Sequence, residues 1–179
     1  MQPEFSASQV TTPCFLADRM VGKLARWLRL LGYDTIYWPQ LSPDGIIREA
    51  RRQQRIILTR DTRLRQRKDA PQLIFLERDR FREQLKQVVS ELQLNPVSHL
   101  LTRCSECNTL PQAIAKEDVR ERVPEYVWQT QEEFRLCPTC QRIYWGATHK
   151  EHVLEELRRL GLIEAEVGGE ELEKNEDLT

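Results

Sequence analysis

The chain has 179 residues, of which 40% are hydrophobic and 31% charged, enough for one sizeable core and a small metal-bound module. No apolar run approaches the roughly 20 residues needed to span a bilayer. The first residues also lack the basic and then apolar pattern of a secretory signal. We therefore expect a cytoplasmic protein that does not enter membranes.

The net charge of −1 is unevenly distributed. Residues 164–179 contain seven acids and one base, so the rest of the chain carries +5. This segment is rich in Gly and Glu and is predicted to be a disordered acidic tail. A short N-terminal arm over residues 1–13 is predicted at the other end. The basic remainder favours a polyanionic partner such as RNA.

Short buried runs alternate with segments of helical spacing along the first 100 residues. The strand-like runs are 14–18, 34–38, 55–61 and 73–76. The helical segments are 21–31, closed by Gly32, a second that opens at Ser42 and Pro43, and a third over about 79–94. This alternation predicts an α/β domain over 14–100, with a parallel sheet flanked by helices on both faces.

Four of the five cysteines form two C-x-x-C pairs separated by 29 residues. Two pairs of thiolates on tight turns are suited to tetrahedral zinc, and four protein ligands leave no position for a substrate. We therefore predict a structural zinc ribbon over 101–148, with a proline-bearing loop at about 119–129. The alternative, a redox dithiol, requires a thioredoxin-like unit around one pair. The predicted zinc ligands are Cys104, Cys107, Cys137 and Cys140.

The fifth cysteine and the segment after the ribbon have simpler interpretations. Cys14 is expected to be a buried apolar residue in the first strand. Apolar residues recur at helical spacing over 149–163, which predicts a closing helix that packs on the α/β domain.

Three aspartates are predicted to converge at one edge of the sheet. Asp18 and Asp61 end strands, and Asp44 lies in the first turn of the helix after the second strand. Ligands of open parallel sheets bind outside the carboxyl ends of the strands. Carboxylates there could bind Mg²⁺ or Mn²⁺ and activate water for phosphodiester hydrolysis. The structural alternatives are a dipole-stabilising charge for Asp44 and a turn cap for Asp61.

A fourth acid is not assigned by the sequence. Glu77 and Asp79 both follow the fourth strand and are candidates. Asp79 is equally well explained as the N-cap of the next helix.

Basic residues surround the predicted acidic edge. Residues 48–68 contain nine bases and two acids, and Lys23, Arg26 and Arg29 are expected to extend the positive surface. Acids that hold a metal beside bases that hold phosphate fit a nucleic-acid backbone. The predicted nucleic-acid contacts are Arg19, Lys23, Arg60 and His149. His149 is also explained as a polar residue at a helix start.

Several of these segments together resemble a known family. They are FLADRMVGKLARWLRLLGYDT at 15–35, ILTRD at 57–61, the two C-x-x-C pairs and CPTCQRIYWGATH at 137–149. They are similar to the Mut-seven C-terminal RNase family, a branch of the PIN domains that carries a zinc ribbon. The resemblance implies a PIN-like fold and a metal-dependent ribonuclease whose acids are Asp18, Asp44 and Asp61.

Three functional hypotheses remain open at this point. The first is a metal-dependent ribonuclease that hydrolyses RNA phosphodiester bonds. The second is a non-catalytic RNA- or ribosome-binding module that uses the zinc ribbon and the arginine-rich surface. The third is a toxin-like nuclease held by a partner, or masked in cis by the acidic tail.

Overall fold

The computed structural model describes residues 12–146 and 148–164, without the side chains of Thr148 and His149. The predicted N-terminal arm and acidic tail therefore fall almost entirely outside the described residues. The main sheet has four parallel strands in the order β2-β1-β3-β4. They are β1 (Phe15–Ala17), β2 (Thr35–Tyr37), β3 (Ile56–Thr59) and β4 (Leu73–Phe75).

Helices cover both faces of this sheet, which confirms the predicted α/β arrangement. In the described part of the chain the helices on this sheet are α1 (Gly22–Leu30), α2 (Pro43–Arg52), α3 (Thr62–Arg65), α4 (Phe81–Glu91) and α6 (Thr148–Arg159), whereas α5 (Glu125–Thr130) belongs to the cysteine-bearing segment. Alternate residues of each strand point to opposite faces. Phe15 and Leu58 thus join a core with α1, α4 and α6, whereas Leu16 and Ile57 join a second core with α2 and α3.

The predicted helix ends are present. Ser42 is the N-cap of α2, where its side chain accepts a hydrogen bond from the backbone N–H of Gly45 at 3.2 Å, and Pro43 follows as the first helical residue. Gly32 has φ +90° after α1, a conformation that favours glycine. A Cβ at this position would also lie 2.0 Å from the carbonyl oxygen of His99, so the connection to the ribbon passes directly over Gly32.

The cysteine-bearing segment forms a second, antiparallel sheet in the order β5-β6-β7. Its strands are β5 (Gln112–Ile114), β6 (Phe134–Leu136) and β7 (Ile143–Trp145). The loop expected at 119–129 is instead a 3₁₀ helix, Glu117–Arg122, followed by α5. The reason is a small core of Val119, Val123, Val127 and Phe134, whose valines recur every four residues.

The last helix, α6, packs on the α/β domain. Val153 and Leu157 are buried in the same core as α1 and α4. Glu156 is buried too, and its carboxylate accepts a hydrogen bond from Arg82 in α4. Within the described residues, no helix has the length and apolar character required to cross a membrane.

Candidate functional site

The four paired cysteines come together at one point of the ribbon. Their ligand atoms all lie within 4.8 Å of one another, and the closest sulfur pairs are 3.3 Å and 3.5 Å apart. Tetrahedral zinc with Zn–S bonds of 2.3 Å places its sulfurs about 3.8 Å apart. The cluster therefore fits one zinc ion. Burial raises the pKa of the Cys137 thiol, so a bound cation is what would hold it as thiolate.

The two C-x-x-C turns have the same backbone pattern. In the first, Cys104 N–H donates to Thr109 at 2.8 Å and its carbonyl accepts from Asn108 at 2.9 Å. In the second, Cys137 makes the equivalent bonds to Arg142 and Gln141, both at 2.9 Å. Asn108 and Gln141, which follow the second cysteine of each turn, both have positive φ. Matched turns of this kind present two sulfurs each toward a common centre.

The cysteine cluster is also linked to its surroundings. The Tyr144 hydroxyl donates to Sγ of Cys104 at 2.9 Å and accepts from the backbone N–H of Ser105 at 3.2 Å. Hydrogen bonds to a ligand atom orient it and tune the metal site.

A buried arginine joins the first cysteine turn to the α/β domain. Arg29 is 6% exposed, so the expectation that it belongs to the positive surface is wrong. Its guanidinium donates to the carbonyl of Thr35 at 2.8 Å and to those of Ser105 and Glu106 at 3.2 and 2.6 Å. The partners in the ribbon lie 76 and 77 residues away in sequence, and no local pattern in the sequence indicates them.

Asp34 completes this junction. Its carboxylate accepts hydrogen bonds from Arg55 at 2.6 Å and from the side-chain amide of Asn108 at 2.9 Å. The backbone N–H of Thr35 donates back to Asn108 at 3.0 Å. Because Asp34 and Arg55 directly precede β2 and β3, the ribbon is attached at the amino-end edge of the sheet.

Asp18 and Asp61 lie at the opposite, carboxyl-end edge, where Thr59 joins them. Asp18 is 2% exposed, and its side chain accepts from the N–H of Met20 at 2.7 Å and from the Thr59 hydroxyl. The same hydroxyl accepts from the backbone N–H of Asp61 at 2.9 Å. Thr59 was not singled out from the sequence, although its spacing from Asp61 places both on one face of the chain.

The Asp61 carboxylate is held by a neighbouring arginine. It caps α3 by accepting from the backbone N–H of Arg63 at 2.9 Å, and it is paired with the Arg63 guanidinium at 2.6 Å. The Arg63 side chain lowers the pKa of Asp61 despite partial burial, and the charge of Arg19 contributes. Asp61 is therefore ionised at neutral pH, and Arg19 lies close enough to influence this edge electrostatically.

Asp44 has a different environment. Its side chain is 74% exposed and is paired with Arg67 at 2.5 Å, and Arg67 also binds Asp69 at 2.7 Å. Among the residues that the structure describes, the four cysteines are the one group of three or more potential metal ligands whose donor atoms cluster. The structure thus links Asp18 to Asp61 but does not bring Asp44 into such a group with them.

The fourth-acid candidates also differ. Both are exposed, but Asp79 forms an ion pair with Arg60, the residue that precedes Asp61 in the chain. The N-cap of α4 is Arg80, so the alternative role of Asp79 as N-cap is wrong. The Nε atom of Arg60 is buried and has no hydrogen-bond partner within the described part of the chain.

The remaining predicted contacts are placed only in part. Arg19 and Lys23 are exposed before and within the first turn of α1. His149 belongs to α6, but its side chain lies outside the described residues.

An α/β domain with acids at the carboxyl-end edge of its sheet and a four-cysteine ribbon at the other defines a two-part architecture. The model of the Mut7-C RNAse domain matches residues 13–157, and the chain belongs to that family. Neither the curated proteins nor the solved structures gave a match.

Proposed function

We propose that the protein is a metal-dependent ribonuclease with a PIN-like domain that hydrolyses RNA phosphodiester bonds at the carboxyl-end edge of its sheet. The observation that carries the proposal is the family match over residues 13–157, which spans both the acidic edge and the ribbon. RNA is the substrate that this ribonuclease family implies.

Asp18 and Asp61 are the residues that would hold a catalytic Mg²⁺ or Mn²⁺. Mg²⁺ is commonly bound through one or two carboxylates together with substrate phosphates, so this pair suits it in donor type and number. When bound, such an ion polarises phosphoryl oxygens and lowers the pKa of water. Asp44 remains a proposed third acid, and Asp79 is the proposed fourth because it is paired with Arg60, the residue before Asp61.

The protein groups around the pair have separate tasks. Thr59 fixes the Asp18 carboxylate through a buried hydrogen bond, so this ligand does not have to be ordered when RNA binds. Arg19, Lys23 and Arg60 supply positive charge for the phosphate backbone, and we propose His149 as a further contact. The four-cysteine site would hold structural zinc, since protein sulfurs fill all four positions.

Cleavage of labelled RNA with Mn²⁺ tests the proposal. We expect Asp18→Asn and Asp61→Asn to lose activity by about 100-fold or more, the scale of removing one electrostatic contributor. Asp118→Asn, an exposed acid of the ribbon, is the matched control and should cleave like wild type. Equal cleavage by wild type and Asp18→Asn would refute the proposed site.

A non-catalytic RNA- or ribosome-binding module is the second candidate. It is favoured by the arginines that already pair with Asp61 and Asp44. The discriminating measurement is a thermal shift with Mn²⁺, because a ligand that binds only the folded state raises the melting temperature. A shift that is lost in Asp18→Asn supports the nuclease, whereas no shift, or one that survives the substitution, supports the binding module.

A further inference from the structure

A large cleft separates the ribbon from the α/β domain, away from Asp18 and Asp61. Its volume is about 1050 Å³. Its walls are α1, the segment 97–103, strands β6 and β7, and residues 150–156 of α6. The cleft is distinct from the proposed zinc site, because the sulfurs of the four cysteines face one another.

The charge of the cleft is predominantly positive. Five arginine and lysine residues line it, against two glutamates. Glu156, one of the two, is paired with Arg82. Three of the bases are also paired with acids, Arg26 and Arg142 with Glu106 and Arg103 with Asp34. The five bases are Arg26, Arg103, Arg135, Arg142 and Lys150. Arg135 and Lys150 are exposed, so their charges are accessible to a polyanion.

Aromatic rings accompany these charges. Trp27, Tyr144 and Trp145 line the cleft, and Trp27 is held in a stack on Phe81 with ring centres 5.7 Å apart. The hydroxyl of Tyr144 is fixed by the cysteine site. Aromatic platforms combined with a positive groove are the means by which proteins bind single-stranded nucleic acid, and each stacked base contributes about 1–3 kcal/mol.

The first helix connects the cleft to the acids. Lys23, Arg26, Trp27 and Leu30 follow the spacing i, i+3, i+4, i+7 and so form one stripe along α1. Lys23 lies near the helix start, just after Asp18, and the other three line the cleft. Nine helical residues span about 14 Å, which sets the scale of the path from the acidic edge to the cleft.

We propose that this cleft binds a single-stranded segment of RNA that continues along α1 toward Asp18. The choice of RNA as the ligand rests on the proposed function, whereas the preference for a single strand rests on the aromatic walls. The cleft is a binding site apart from the carboxylates, so binding and cleavage are separable.

Fluorescence anisotropy with a short labelled oligouridylate tests the proposal on the zinc-loaded full chain. The parent protein is Asp18→Asn, without added Mg²⁺ or Mn²⁺, so that no RNA is cut during the titration. The double variant Arg135→Gln with Lys150→Gln, the cleft pair, removes two positive charges from the cleft. The double variant Arg159→Gln with Lys86→Gln, the control pair, removes one arginine and one lysine from exposed positions outside it.

We expect the cleft pair to raise Kd by about ten-fold and to reduce the slope of log K against log salt by about 1.4, at about 0.7 per phosphate contact on a single strand. The control pair should change both much less. Zinc content and melting temperature, measured for all variants, establish that they are folded. Photo-cross-links from 4-thiouridine RNA should map to Trp27, Tyr144 or Trp145.

Three outcomes would overturn the proposal: equal losses in both pairs, duplex RNA binding as tightly as the single strand, or a polyglutamate peptide competing equally well. The last would make the cleft a general anion site. Suppose that the cleft pair binds RNA as tightly as its parent, and that wild type cleaves RNA whereas Asp18→Asn does not. The cleft proposal then fails, and the proposed nuclease function stands. If instead the cleft pair loses RNA binding but wild type does not cleave RNA, the cleft proposal stands and the proposed nuclease function fails.

Discussion

Thr59→Val tests the hydrogen bonds that organise the carboxyl-end edge. The Thr59 hydroxyl is fully buried, donates to Asp18 and accepts from Asp61. Valine has nearly the same shape but leaves the buried Asp18 carboxylate with one bond, from Met20. A hydrogen bond to a charged group contributes about 1.5–3 kcal/mol and an ordinary one about 1 kcal/mol. We therefore expect the free energy of unfolding to fall by about 2–4 kcal/mol.

Urea and thermal denaturation measure this loss. For a chain of this length the melting temperature should fall by about 5–15 °C. Thr59→Ser is the matched control, because it keeps the hydroxyl and removes one methyl group, at a cost of about 1 kcal/mol. A double-mutant cycle with Asp18→Asn isolates the bond between the two side chains. If valine and serine at this position gave equally stable proteins, the hydroxyl would not organise the edge as we describe.

Two further predictions concern the ribbon and its attachment. Burial acts to raise the pKa of Asp34, but hydrogen bonds from Arg55 and Asn108 outweigh it and lower the pKa. This carboxylate therefore stabilises the fold above its unfolded pKa of about 3.9, and the contribution is lost as the pH falls through the lower folded value. Urea midpoints between neutral and acidic pH should show a weaker acid dependence for Asp34→Asn, and an unchanged profile would contradict the assignment. For the metal, elemental analysis should find one zinc per chain, lost in Cys137→Ser together with part of the thermal stability. Cys14→Ser should keep both, and zinc retained after Cys137→Ser would argue against the four-sulfur site.

The main sheet was predictable because its signals are local. Buried runs of three or four residues alternate with helical spacing, and the Ser42–Pro43 start of α2 is a sequence feature in its own right. The fold of the ribbon was harder to predict from the sequence. Its valines, spaced four apart, were available as a signal for the 3₁₀ helix and α5, but the prolines suggested a loop.

Features that depend on distant partners could not be predicted. Arg29 looks like a surface base in α1, yet three backbone carbonyls surround it, two of them in the ribbon. The side-chain direction of Asp44 could not be predicted either. Topology places the start of α2 at the carboxyl-end edge, but the direction of an exposed side chain is decided by its neighbours, here Arg67. The convergence of Asp44 on Asp18 and Asp61 therefore stays a prediction.

The attachment of the ribbon bears on how its zinc would affect function. Asn108 binds Asp34 before β2, whereas Asp18 follows β1, so the cysteine site and the acids lie at opposite edges of one sheet. A role for the ribbon in directly positioning groups beside the acids is therefore not favoured. The path between them is α1, whose last carbonyl accepts a hydrogen bond from Leu101 at 2.7 Å. Loss of zinc should thus weaken RNA binding in the cleft first, while the hydrogen bonds of Thr59 keep the Asp18 carboxylate and the Asp61 backbone in place.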